Sequence, residues 1–310
     1  MRKISIIGAG NVGATTAYYL AKSGIADVVM VDVVEGMPQS KALDFQHAGP
    51  IEGFRCTITG TNSYADIKDS DVVVHTAGIP RKPGMDRMDL LKTNVGIAKD
   101  AAEAIRTYAP DSVVIAVANP LDVIAMALLR GTGFDPRRVI GMAGVLDSTR
   151  FRYFIAEELN VLPENVSGMV LGGHGDTMVP LPRYTSVGGF GLAELMDAET
   201  IERLVDRTRK GGGEIVSYLK QGSAFYAPGA SVAQMVEAIL LDQKRLIAAS
   251  AFLDGQYGYS NVFLGVPVVL GAEGIERIIE LSLTFEEKAA LDGSVAAVQK
   301  GVEELNSVWS

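Results

Sequence analysis

One imidazole of this chain stands on a glycine-rich turn, Gly172-Gly173-His174-Gly175-Asp176. The chain has 310 residues and only three histidines, and glycines on both sides of this one let the backbone crowd close to a ligand. Taking a hydride from a secondary alcohol requires a base for the hydroxyl proton, with a pKa near the working pH, and imidazole meets that need. A carboxylate on the other ring nitrogen fixes the tautomer and raises the basicity. His174 is the candidate base and Asp147 its candidate partner. Asp147 and Arg150 lie three apart on an expected helix and so project from one face. The planar fork of arginine grips both oxygens of a carboxylate at once. Taken singly, Asp147 is also the acid that a helix N-terminus favours, and Arg150 is also an ordinary surface charge. Taken together, the three residues point to dehydrogenation of a small 2-hydroxy acid. His47 reads as a cation at a helix end, and His75 as a buried strand residue with a backbone partner.

Such chemistry needs a hydride carrier, and the start of the chain offers a place for one. Gly8-Ala9-Gly10-Asn11-Val12-Gly13 follows an apolar run and opens a helical pattern. A bare G-x-G-x-x-G is weak in a chain with 34 glycines, but its context strengthens it. Gly8 permits the tight turn, Gly10 lets the backbone approach a pyrophosphate, and Gly13 lets helix pack on strand. The helix N-terminus presents free N–H groups to the phosphates. Asp32, 19 residues beyond Gly13, is placed to accept both hydroxyls of the adenosine ribose. Its charge repels a 2′-phosphate, so NAD is expected over NADP. Ala77-Gly78 and Val117-Ala118-Asn119-Pro120 close the fourth and fifth strands, where a doubly wound sheet has its ligand crevice. Between them, Arg81-Lys82-Pro83-Gly84-Met85-Asp86-Arg87 carries two arginines around a Pro-Gly pair. That pattern suggests a loop acting as a lid that excludes water and delivers charge.

These residues need elements to position them. Through the first half, short apolar runs (4–7, 28–31, 56–59, 72–76, 113–118 and 139–141) alternate with helical patterns (12–22, 40–48 and 94–108). This is the signature of βαβ units and a six-stranded parallel, doubly wound α/β sheet. After about residue 144 the elements are grouped. A helix is predicted over 146–160, a strand over 166–171, and helices over 198–210, 212–219 and 231–242. Two strands (246–253 and 262–270) and a final helix from Thr284 follow. Residues 1–144 therefore read as a dinucleotide-binding Rossmann domain and 145–310 as an α+β catalytic domain. The absence of a linker implies an extensive interface between them. A net charge of −9 argues against a nucleic-acid partner, yet leaves room for an anionic substrate beside a local cluster of arginines. No apolar run approaches the length that spans a bilayer. Three scattered histidines and a lone cysteine, Cys56, supply no metal-ligand set, and the single cysteine fits a reducing cytoplasm.

The motifs in this order, across the whole chain, resemble the lactate/malate dehydrogenase family, and within it the lactate-dehydrogenase-like malate dehydrogenases of bacteria. They comprise Gly8 to Gly13, Asp32, the 81–87 loop, Asn94, residues 117–120, Gly141-Met142-Ala143-Gly144-Val145-Leu146-Asp147, Arg150 and the 172–180 segment. The resemblance implies that His174 accepts a proton when the 2-hydroxy acid is oxidised, with Asp147 as its partner. By the same resemblance Arg150 clamps the carboxylate beside the reacting carbon and Arg87 polarises the carbonyl in the reverse reaction. Asn119 contacts both substrate and cofactor, while Asn94, Val117 and Ala118 line the nicotinamide side. Arg81 stands where lactate dehydrogenases carry an uncharged side chain, and its charge matches the second carboxylate of malate or oxaloacetate. The implied reaction is the reversible oxidation of (S)-malate with NAD, as in the tricarboxylic acid cycle. The implied assembly is a homo-oligomer, a tetramer ahead of a dimer. Apolar helices around Ala42, Ile155 and Ile239 fit its interfaces, and core packing explains them equally well.

Overall fold

The computed structural model describes residues 2–79 and 87–309. Six strands pair in parallel: β1 (Lys3–Ile7), β2 (Asp27–Val31), β3 (Ile58–Thr61), β4 (Val72–His75), β5 (Val113–Ala116) and β6 (Val139–Gly141). Their spatial order is β6-β5-β4-β1-β2-β3. The winding reverses between β1 and β4, so the crevice lies beyond the carboxyl ends of those two strands. Every residue of β4 and β5 is buried, because helices cover both faces of the sheet. That is why these runs lack polar alternation. Val72 and Val74 join the core layer on one side and Val73 the layer on the other. The crossovers are α1 (Asn11–Ser23), α2 (Met37–Glu52), α3 (Arg87–Tyr108) and α4 (Leu121–Thr132), and α5 (Gly144–Leu159) follows β6.

The second half departs from its sequence reading in instructive ways. The run expected as one strand over 166–171 is two, β7 (Val166–Ser167) and β8 (Val170–Leu171), interrupted at Gly168. β8 pairs with β9 (Val179–Pro180), while β7 joins β10 (Ser186–Val187) and β11 (Phe190–Gly191) in a separate small sheet. After the short α6 (Leu192–Leu195), the two helices expected over 198–219 are a single helix, α7 (Ala198–Leu219), running straight through Gly211-Gly212-Gly213. Two interactions offset the low helix propensity of glycine there. Leu204, Val205, Thr208 and Gly211 bury one face, and Arg207 reaches across the glycines to Glu214 at 3.1 Å.

Beyond α8 (Tyr226–Leu240) come β12 (Arg245–Asp254), β13 (Ser260–Gly271), the unanticipated β14 (Gly274–Ile278) and α9 (Phe285–Val308). Strands β12 to β14 are antiparallel and continue the first sheet, extending it to nine strands in the order β14-β13-β12-β6-β5-β4-β1-β2-β3. The join is the pairing of Ser250 on β12 with Gly141 on β6. Gly141 permits it, since a Cβ there would come within 2.6 Å of the Ser250 Cβ. Ala42, Ile155 and Ile239, considered above as interface residues, are buried inside the chain. Among the described residues no helix is long and apolar enough to cross a membrane.

Candidate active site

At the end of β1 the chain turns through Gly8 at φ +104°. A Cβ at Gly8 would lie 2.6 Å from the Ala77 nitrogen, and one at Gly13 would lie 1.9 Å from the Gly8 carbonyl oxygen. Both positions therefore admit only glycine, and α1 can start directly beneath the loop. The loop is held by groups that spacing alone does not reveal. Thr76 Oγ1 donates to the Gly8 carbonyl at 2.8 Å and Lys41 Nζ to the Ala9 carbonyl at 2.6 Å. Asp32 accepts the Ala9 N–H on Oδ2 at 2.7 Å and the Val34 N–H on Oδ1 at 3.0 Å. Each carboxylate oxygen keeps a further lone pair for a hydroxyl donor. No side chain caps the N-terminus of α1 at Gly10, so its first-turn N–H groups face the crevice.

A cavity of about 640 Å³ opens above this loop, walled by Gly10, Asn11, Val12, Asn94, Val117, Ala118, Asn119 and His174. His174 sits at its edge, on the turn after β8. Gly172, at φ +90°, exchanges both backbone hydrogen bonds with Gly265 of β13, at 2.9 and 3.0 Å. A Cβ at Gly173 would come within 2.6 Å of Val298 Cγ2 on α9. The glycines are thus required by packing on β13 and α9.

His174 Nδ1 lies 2.9 Å from Asp147 Oδ2, and Arg150 Nη1 lies 3.2 Å from Asp147 Oδ1. The Asp147 side chain is 3% exposed and that of His174 13%. With Nδ1–H donated to the carboxylate, Nε2 becomes the basic nitrogen of the neutral ring. Burial alone would hold the imidazole neutral. The charge and hydrogen bond of Asp147, helped by the charge of Asp122, outweigh burial and the opposing Arg150, and the pKa ends above that of an ordinary histidine. Asp147 and Arg150 project together from the first turns of α5, as their three-residue spacing predicts. Arg150 packs its guanidinium against Gly212, whose Cβ would stand 3.7 Å from both terminal nitrogens. A Cβ there would make ordinary contact with the fork, so the middle of α7 packs directly beside it.

A family model for the lactate/malate dehydrogenase NAD-binding domain matches residues 2–141, and one for the family's α/β C-terminal domain matches residues 144–308. The chain belongs to the lactate/malate dehydrogenase family. It is 56% identical over 305 residues to a malate dehydrogenase of Methanosarcina mazei, covering 98% of this chain and 99% of that one. It is equally similar, over 307 residues and 99% of both chains, to one of Thermomicrobium roseum. Among solved structures, the malate dehydrogenase of Salinibacter ruber superposes with a TM-score of 0.95 at 50% identity, over 99% of this chain and 98% of that one. The lactate dehydrogenase of Cryptosporidium parvum, solved with lactic acid and nicotinamide adenine dinucleotide, also superposes at 0.95, with 42% identity over 98% of both chains. The backbone is thus common to lactate and malate enzymes of the lactate/malate dehydrogenase family.

Against that family background, the residues singled out from sequence fall into four groups. His174, Asp147 and Arg150 come together; Gly10, Asn11, Val12, Gly13, Val117, Ala118 and Asn119 line the adjoining cavity, and Asp32 holds the loop from the Ala9 side. Asn94 both lines the cavity and braces its wall. It is 2% exposed, its Oδ1 accepts the Ile79 N–H at 2.9 Å, and its Nδ2 donates to the Asn119 carbonyl at 2.9 Å. It ties the ends of β4 and β5 together beneath Asn119. Arg81 lies outside the described residues, as does the Arg87 side chain. Sequence reading missed Asp122, Ser250 and Ser294, which hold the histidine turn from below. Gly173 N–H donates to Ser294 Oγ at 2.8 Å and His174 N–H to Asp122 Oδ2 at 2.9 Å. His75 also departs from expectation: among the described residues neither ring nitrogen has a partner. The exposed His47 stands inside α2 rather than at its end.

Proposed function

We propose that this chain is an NAD-dependent malate dehydrogenase, and that His174, Asp147 and Arg150 act with Arg81, Arg87 and Asn119 on malate and oxaloacetate. The observation that carries the reading is the His174–Asp147 contact at 2.9 Å, with Arg150 on the same carboxylate, at the rim of a crevice built on the dinucleotide loop. The crevice suits a dinucleotide. It offers the uncapped start of α1 for phosphates and the open lone pairs of Asp32 for ribose hydroxyls. The same carboxylate disfavours a 2′-phosphate, which favours NAD over NADP.

When bound, the nicotinamide cofactor supplies the acceptor for the hydride of the substrate's carbinol carbon. The protein supplies the rest. Arg150 fixes the carboxylate next to that carbon through a bidentate grip. His174 Nε2 takes the hydroxyl proton, and Asp147 stabilises the imidazolium that forms. In the reverse direction the same imidazolium returns the proton to the carbonyl oxygen, and Arg87 polarises that carbonyl. Arg81 receives the second carboxylate of the four-carbon acid. The relatives named malate dehydrogenase support this substrate assignment, and because the lactate enzymes share the backbone, the discrimination rests on side chains, Arg81 foremost. The test is NADH oxidation measured with oxaloacetate and with pyruvate. The expected result is turnover of oxaloacetate exceeding that of pyruvate by orders of magnitude, and comparable rates would overturn the assignment.

The working assembly is a homotetramer in the cytoplasm, built from symmetric pairs. Leu43 and Ile51 on α2 and Tyr226 on α8, at 53%, 90% and 68% exposed, supply apolar surface for such contacts. A light-scattering mass of four chains checks it, and a monomeric mass would refute it.

A further inference from the structure

Asp122 lies in the first turn of α4, two residues beyond Pro120, and is 5% exposed. Its Oδ2 accepts the His174 backbone N–H at 2.9 Å and its Oδ1 accepts the Ser250 hydroxyl at 2.6 Å. Both bonds run into the carboxylate, as they do for an ionised acid. Burying a charge is costly unless it is fully hydrogen-bonded, and a purely structural brace between α4 and β12 needs no charge. This one sits directly beneath the proposed base. Gly173 lets the turn settle onto it, since a Cβ there would stand 3.3 Å from Asp122 Oδ2.

We infer that Asp122 is a second positioning carboxylate for His174, pinning its main chain while Asp147 orients its ring, and adding negative charge that favours the protonated imidazole. The inference rests on the reading of His174 as proton acceptor. Asp122 joins three parts of the site through one side chain: the start of α4 just after Asn119, the histidine turn, and β12 through Ser250. Among the described residues the charged groups acting on His174 are Asp147 and Arg150 from α5 and Asp122 from α4. Asp122 therefore works with Asp147 and against Arg150. Burial lifts its own pKa above the ordinary carboxylate value; the Ser250 hydroxyl, the His174 N–H and the charge of the His174 ring oppose that rise, and the charge of Asp147 adds to it.

The experiment is the pH profile of kcat/KM for malate oxidation by the full chain, with NADH binding followed by fluorescence. In the wild-type protein the rate should rise with pH as His174 loses its proton. Asp122→Asn keeps an acceptor for the His174 N–H and an amide for Ser250 but removes the charge. It should bind NADH within about twofold of wild type, move the rise to lower pH by about half to one unit, and lower the plateau roughly tenfold. Ser250→Ala keeps the charge but frees one oxygen. It should lower kcat several-fold with the KM for malate and the position of the rise unchanged. A lowered plateau with an unmoved rise in Asp122→Asn would reduce the residue to a structural brace and overturn the inference. So would wild-type behaviour of Ser250→Ala, which decides the matter if Asp122→Asn does not fold. Failure of the underlying reading looks different: the wild-type protein would not oxidise malate, or His174→Ala would retain the rise.

Discussion

Side chain by side chain, the proposed selection of substrate turns on a cation at position 81. An arginine facing a three-carbon acid with no second carboxylate is left desolvated and unpaired, so it acts as much by rejecting pyruvate as by holding oxaloacetate. Each ~1.4 kcal/mol of that difference is tenfold in rate. Arg81→Gln should therefore lower kcat/KM for oxaloacetate by roughly 100-fold or more while raising activity on pyruvate. Unchanged ratios in the paired assay would show that selection resides elsewhere. Residue types and spacing made the clustering of the proposed reacting groups legible. His174 was marked by its glycines, and Asp147 and Arg150 by a three-residue interval on a helix. The supporting groups were not legible, for a physical reason. Asp122 meets His174 across 52 positions of chain, Ser250 meets Asp122 across 128, and Ser294 meets Gly173 across 121. Serine and aspartate at such separations carry no periodic signal.

Among the elements, α7 teaches the most about what local propensity leaves out. Three successive glycines predict a break, because each sacrifices backbone entropy in a helix. The helix persists because its buried face and the Arg207–Glu214 bridge at 3.1 Å hold both sides of the weak point. The three glycines are not equivalent. Gly211 would bring a Cβ to 3.4 Å from Arg150 Cδ, whereas Gly213 faces open space. Gly213→Ala should therefore raise stability by ~0.5–1 kcal/mol with the KM for malate unchanged, read as a higher Tm and an unaltered saturation curve. A lower Tm would mean that the run is needed for bending. The strand reading over 166–171 failed at Gly168 for a related reason: an apolar run sets burial but not register, and its two ends join different sheets. β14 escaped notice because its Gly-Ile-Glu-Arg-Ile sequence carries adjacent charges at an edge strand, where exposure tolerates them.

For the molecule as a whole, the parallel sheet was legible in six apolar runs, whereas its extension by β12 to β14 was not. Antiparallel hairpins carry no signature of which earlier strand they will meet. At the centre of that sheet sits His75, fully buried on β4, and burial lowers its pKa from 6.5 to about 4. Folded chains hold it neutral where unfolded chains already bind a proton. Its share of stability is therefore intact above pH 6.5 and drains away as pH falls toward 4. At 1.36 kcal/mol per pH unit, the gap corresponds to about 3 kcal/mol. The Tm of wild type should drop over that interval more steeply than that of His75→Leu, which has no proton to gain. Parallel curves for the two proteins would sink this assignment.

The pairing of Ser250 with Gly141 has a further consequence for how the molecule works. One residue both stitches the parallel and antiparallel parts of the sheet together and steadies the acid beneath the proposed base. A swing of one half against the other would tear that stitch and unseat the base in the same stroke. The two parts of the sheet therefore form one frame, and the seat of the proposed base is set at their junction.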